Sequence, residues 1–139
     1  MKPMIMNNKV AVDTNILIYL HDDKVPVKQK IALDIMKDRP VISPQIISEY
    51  LNVLKRVLKA PKHELLEHCQ KLVAISILTT INLKTIRYAR HLIQKYDFQL
   101  FDSIIVASAL EANCTILYSE DFQHNQLVED KLRIINPFL

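Results

Sequence analysis

Short apolar runs rich in β-branched residues alternate along the chain with longer stretches in which apolar residues recur every three or four positions. The first pattern fits buried strands and the second amphipathic helices. Residues 9–12 read as a short buried strand and 14–21 as a helix. Asp22, Asp23 and Pro26 mark a loop before a second helix over 27–37, which carries apolar residues at Ile31, Ile35 and Met36 with Leu33 between. Val41-Ile42 reads as a strand. Ser43 then offers an N-cap oxygen, and Pro44 a first helical residue with no amide proton to leave unpaired. The next helix carries Ile46, Ile47, Tyr50, Leu51, Leu54, Val57 and Leu58 at helical spacing, and Pro61 ends it. Residues 62–73 predict a helix, 74–79 (AISILT) a strand, and 82–96 a helix with Ile86, Ala89, Leu92 and Ile93 facing inward. Residues 102–112 are almost wholly apolar, which predicts a buried helix capped by Asp102 and closed by Asn113 in the left-handed conformation. Strands at 114–118 and 132–136 follow. Strands separated by helices argue for an α/β fold, a three-layer α/β/α sandwich around a central, mainly parallel sheet.

Composition narrows the class. At 139 residues, half of them hydrophobic, the chain suits a single globular domain over residues 1–139. Its apolar stretches are interrupted well short of the roughly 18 residues of a membrane span. The N-terminal MKPMIMNNKV lacks the apolar core and cleavage site of a signal peptide, so a cytoplasmic location is expected. Cys69 and Cys114 have no CxxC or Cys/His ligand spacing and read as buried small apolar residues in a reducing compartment. His63 and His68 lack the spacing of a helix-face metal pair. The net charge of +3 is a weak pointer to nucleic acid, and the clusters Lys55/Arg56/Lys59 and Lys84/Arg87/Arg90 read first as solvated faces and only secondly as phosphate-binding surfaces. The chain has no glycine. Asparagine is the next residue to tolerate positive φ, and Asn113 and Asn125 both stand where a turn is expected.

The candidate chemistry lies where buried segments end. Asp13 follows the first strand and Asp121 a later one, so both are delivered to the carboxyl edge of the sheet, where α/β folds form their crevice. Asp102 opens the apolar helix. Glu49 lies one to two turns into the helix after Val41-Ile42. Carboxylates gathered without cations repel one another, and a hard divalent ion resolves the conflict. Each acid also has a purely structural reading: Asp13 and Asp102 as helix caps, Asp121 as a turn residue, Glu49 as a solvent-facing helix position.

VAVDTNILIYL, SPQIISEYLNVL, FDSIIVASALEANCTILYSEDFQHNQ and LRIINPF, taken in order, resemble the successive motifs of PIN-domain proteins, and most of all the VapC-type toxin ribonucleases of bacterial toxin–antitoxin pairs. The resemblance runs from about residue 9 to the C-terminus. It implies a pocket formed by Asp13, Glu49, Asp102 and Asp121, all four matching the family's acids, with Asn15 and Ser119 as polar support and Glu120 as a neighbouring acid. It further implies Mg²⁺ or Mn²⁺ as cofactor, RNA as substrate, a cognate antitoxin and a homodimer as partners, and metal-dependent endoribonuclease activity. Relatives usually carry glycine near the positions of Asn113 and Asn125, and asparagine tolerates the same backbone. Two other readings remain. A non-catalytic PIN-like module would bind RNA or protein without cutting. An aspartyl-nucleophile phosphatase would attack phosphate through Asp13, but its DxDxT pattern needs an acid where Asn15 stands.

Overall fold

The computed structural model describes residues 8–139; residues 1–7, on which the reading of the N-terminus as free of a leader mostly rests, lie outside the described residues. The expected α/β architecture is present. Val10–Val12 (β1), Val41–Ile42 (β2), Ile77–Leu78 (β3), Ile116–Tyr118 (β4), Leu127–Val128 (β5) and Leu132–Ile135 (β6) form one sheet in the order β3-β2-β1-β4-β6-β5. Every pairing is parallel except β5 with β6. The flanking helices are Thr14–Tyr19 (α1), Pro26–Met36 (α2), Pro44–Leu58 (α3), Lys62–Ala74 (α4), Leu83–Tyr96 (α5) and Leu100–Glu111 (α6). α1 packs on α2 and α3, α3 on α4, and α5 on α6.

The central strands are apolar on both faces because helices cover both. Val12, Leu117 and Ile134 are fully buried, as are Leu17, Tyr50, Leu92 and Val106 from the helices around them. Cys69 and Cys114 are free and buried, as expected.

Several expectations are corrected. The stretch 74–79 yields only Ile77–Leu78 as strand, because α4 runs through Ala74 and Ser76 Oγ donates back to the Leu72 carbonyl, prolonging the helical turn. β3 is an edge strand, so its residues are exposed. α6 begins at Leu100, with Gln99 at the N-cap position. Asp102 therefore lies inside the first turn and caps nothing. In α5, Ile86 faces solvent, and Thr85 is buried instead because it closes a reciprocal capping box with Asn82. The short strand β5 carried no expectation.

Without glycine, turns are made at a steric cost. Among the described residues, seven have φ between 49° and 69°: Arg39, Lys59, Asp97, Asn113, Asn125, Glu129 and Asp130. At the end of α6, Asn113 takes this conformation while its amide donates to Leu110 and that of Cys114 to Ala109, the paired bonds that close a helix on a left-handed residue. Asn113→Val is expected to lower the stability to urea by about 1–2 kcal/mol, and Asn113→Gly to leave it equal or higher. Equal loss in both variants would show that the side chain, not the backbone conformation, matters there.

The β5–β6 hairpin is tied to α5 by one carboxylate. Glu129 accepts from Lys95 Nζ (2.6 Å), His91 Nε2 (2.7 Å) and Tyr96 Oη (3.0 Å), and Lys95 foremost holds its pKa down at about 2.

Candidate active site

β1 has β2 on one side and β4 on the other, so the chain's crossovers diverge at β1. A crevice forms at such a point because no connection covers it. β1 and β4 are in register, Val12 opposite Tyr118, and the Asp13 amide donates to the Tyr118 carbonyl at 2.9 Å. The residues that follow the two strands, Asp13-Thr14-Asn15 and Ser119-Glu120-Asp121, thus meet at one edge.

Asp13 is only 5% exposed. Its Oδ1 accepts from the Thr14 amide at 2.7 Å and its Oδ2 from Ser119 Oγ at 2.8 Å. It is the N-cap of α1, so the structural reading of Asp13 is correct as well. Ser119 Oγ accepts from the Asp121 amide at 3.1 Å, and Asp121 Oδ2 accepts from Asn15 Nδ2 at 3.0 Å. Asn15 Oδ1 receives the Glu120 amide at 3.4 Å. Glu49 comes from α3, which Ser43 caps by accepting from the Ile46 amide at 3.3 Å. Its Oε2 accepts from Thr14 Oγ1 at 2.8 Å. The side chain of Asp102, half-buried in the first turn of α6, has no hydrogen bond among the described residues.

Asp13 and Asp102 each feel the charges of Asp121 and Glu49. Burial foremost pushes Asp13 up to about 6, against the bonds from Ser119 and Thr14, and the negative charges of Asp121 and Glu49 add to the rise. Burial likewise raises Asp102, and Asp121 and Glu49 raise it further. No salt bridge among the described residues reaches any of the four. This group of acids is short of positive charge.

Glu120 is not part of it. Burial alone would raise its pKa, but Lys28 (2.6 Å) and Tyr19 (2.7 Å) bond it and bring it below the usual range. The Lys28 ammonium also sits over the rings of Tyr19 and Phe138, so Glu120 joins β4 to α2 and to the C-terminal NPF turn. The sequence reading missed Thr14. Its place between two site residues was the only signal, and a threonine at a helix start has many other uses.

The donor set consists of carboxylate and hydroxyl oxygens, with no thiol or imidazole, which suits a hard cation and not a soft one. Among the described residues, no three acidic, histidine or cysteine side chains close into a ready-made cage. Mg²⁺ needs no such cage, because it keeps several waters and is held through one or two carboxylates.

The PIN domain family model matches residues 10–129, which include all four acids. The chain belongs to the PIN-domain family. Three solved structures share this PIN fold at low sequence identity. A toxin–antitoxin complex from Klebsiella pneumoniae aligns with a TM-score of 0.69 at 19% identity, covering 93% of this chain and 97% of that one. The Mycobacterium tuberculosis toxin VapC20, described as cleaving the sarcin–ricin loop, aligns at 0.62 and 15%, covering 81% and 90%. VapBC2 from Rickettsia felis, bound to a DNA fragment from the promoter of the pair, aligns at 0.59 and 17%, covering 91% and 98%. The sequence matches no curated protein. Among the described residues of this PIN domain, no helix is long and apolar enough to cross a membrane.

Proposed function

We propose that the chain is a metal-dependent endoribonuclease that works in the cytoplasm as one PIN domain, and that it is the toxin of a VapBC-type pair. The observation that carries the reading is the group of four carboxylates with no cationic side chain paired to them among the described residues, near the divergence of β1 and β4, in a chain of the PIN-domain family. Asp13 and Asp102 are the main ligands for Mg²⁺ or Mn²⁺, with Asp121 and Glu49 completing the pocket. When bound, such an ion activates water and offsets the charge that builds on a phosphodiester during hydrolysis. The chain's own residues arrange the oxygens. Ser119 and the Thr14 amide fix both oxygens of Asp13, the Thr14 hydroxyl fixes Glu49, and Asn15 fixes Asp121. Mutual repulsion keeps the carboxylates poised for a cation and against a bare phosphate. The toxin–antitoxin complexes that share the fold support an antitoxin partner, and we extend the proposal to a homodimer.

One observation favours a second reading, a PIN-like module that binds RNA or protein without cutting: the side chains do not close into a cage. The test is cleavage of total cellular RNA by the purified protein, freed of any antitoxin, with Mg²⁺, with Mn²⁺ and with EDTA. Discrete fragments that need the metal establish the nuclease. Intact RNA in every arm, from protein that melts cooperatively, rejects it in favour of the binding module.

A further inference from the structure

Two acids stand side by side in the loop after β4, and only one of them has a cation. Asp121 accepts from the neutral Asn15 amide, and its charge is felt at Asp13 and Asp102. Glu120 has both oxygens engaged, Oε1 by the Tyr19 hydroxyl at 2.7 Å and Oε2 by the Lys28 ammonium at 2.6 Å. No other salt bridge among the described residues reaches residues 119–121.

One face of α1 keeps the two carboxylates apart. Asn15 and Tyr19 lie four residues apart on that helix and share a stripe. Asn15 holds Asp121 and Tyr19 holds Glu120, so the second carboxylate sits roughly 6 Å further along α1. Asn15 also receives the Glu120 amide, which fixes the backbone between the two acids. Lys28 is anchored in its turn. Its ammonium donates to Tyr19 Oη at 3.0 Å and lies 4.8 Å from the centre of the Tyr19 ring and 5.2 Å from that of Phe138. Those rings meet edge to face with centroids 4.9 Å apart, and Asn136 Oδ1 holds the Phe138 amide at 3.0 Å. A surface ion pair is ordinarily loose, but this one is gripped from α1, α2 and the C-terminal turn.

We propose that Lys28 is a positioning residue of the metal site, which holds Glu120 out of the group of acids so that, of the two neighbours, Asp121 alone faces the ion. The inference rests on the metal-dependent ribonuclease reading. Without the ammonium, Glu120 is a partly buried carboxylate with no cation, and an ion held by the neighbouring acids draws it in. That ion gains an oxygen ligand and loses the arrangement that Asn15 and Ser119 set. Tighter binding and slower cleavage then occur together, a combination that a purely structural lysine does not give.

The test compares wild type, Lys28→Met and Lys28→Met/Glu120→Gln. It measures Mn²⁺ affinity by calorimetry and cleavage of total RNA at saturating Mn²⁺, with thermal melts to confirm folding. Lys28→Met keeps an apolar stem over the two rings and removes the charge. It should bind Mn²⁺ about threefold more tightly, the pull of one uncompensated charge roughly 6 Å away in water. It should also cleave at least about tenfold more slowly, as when a ligand loses the partner that orders it. The double variant has the wild type's net charge, and its amide carbonyl can still accept from the Tyr19 hydroxyl. It should recover affinity and rate to within about twofold, the non-additivity expected of two groups that act through each other. Lys28→Met with wild-type rate and affinity overturns the inference, because the pair is then an ordinary surface contact. So does a slowed rate that the second substitution leaves unrepaired, because Lys28 then acts other than through Glu120. So does weaker Mn²⁺ binding by Lys28→Met, because the lysine then only shapes the fold around the site. In all three cases the wild type still binds metal and cuts, and the ribonuclease stands. Wild type that neither binds Mn²⁺ nor cuts overturns the ribonuclease reading and this inference with it.

Discussion

Asp13→Asn is expected to melt as cooperatively as the wild type and to lose RNA cleavage by at least about 10³-fold. The fold survives because asparagine can meet both local demands. Its carbonyl oxygen can accept the Thr14 amide as Asp13 Oδ1 does, and its amino group can face Ser119 Oγ, a hydroxyl that accepts as readily as it donates. Activity does not survive, because the neutral amide removes a buried negative charge from a pocket whose chemistry depends on attracting a cation. Ser119→Ala separates placement from charge. It leaves the Asp13 carboxylate in place but frees one of its oxygens and removes the acceptor of the Asp121 amide. A loss of about 10–100-fold in activity or metal affinity is expected, the usual effect of removing the partner that orients a ligand. Both are read from initial cleavage rates, with thermal melts to confirm folding. Asp13→Asn protein that cuts at the wild-type rate would remove Asp13 from the mechanism. Ser119→Ala as damaging as Asp13→Asn would mean that the hydroxyl acts on the substrate directly.

The parts of this site that were legible in the sequence are those set by chain direction. A β-branched run that stops at an acid places that acid at the carboxyl end of a strand, and Asp13 and Asp121 were found in this way. The Ser43-Pro44 start of α3 was legible because cap and ring act within four residues. Contacts that cross the chain were not legible. Thr14 reaches Glu49 across 35 positions, and Glu120 is drawn to Lys28 across 92, so neither partner follows from local spacing. Asp102 shows the limit of a local rule. An acid before an apolar run reads as a cap, but the helix starts two residues earlier at Leu100, whose carbonyl takes the Ser103 hydroxyl, and the acid is left unbonded. In the first turn the acid still meets the positive end of the helix dipole, so its place there is compatible with a structural role as well as with a ligand.

Stability should fall as the pH rises through the range in which Asp13 ionises, and a divalent ion should reverse the fall. The Asp13 pKa is near 6 in the folded protein against 3.8 in its absence. Between those values the native state binds more protons than the unfolded chain, so unfolding becomes easier as the pH rises. The stabilisation is fully present below pH 3.8 and is lost above pH 6, on the order of 3 kcal/mol in all. For a chain of this length that is about 10 °C in melting temperature. Asp102, raised in the same direction, adds to the fall. Glu129, held at about 2, works oppositely, but its gain is complete by about pH 4.5. His21, whose pKa is lowered by burial and by His68, also gains stability as the pH rises, within part of the same window. The decisive quantity is therefore the difference between wild type and Asp13→Asn. Without metal, the variant should melt about 10 °C above the wild type at pH 7, and the gap should close by pH 4. Mg²⁺ or Mn²⁺ should raise the wild-type melting temperature at pH 7, do little at pH 4 where Asp13 is protonated, and stabilise the variant far less. A wild-type melting temperature indifferent to both ions at pH 7, with the gap to Asp13→Asn intact, would mean that the buried charge is real but is not there to hold a metal. The same melts therefore show whether the buried acid serves a metal, which the nuclease reading requires.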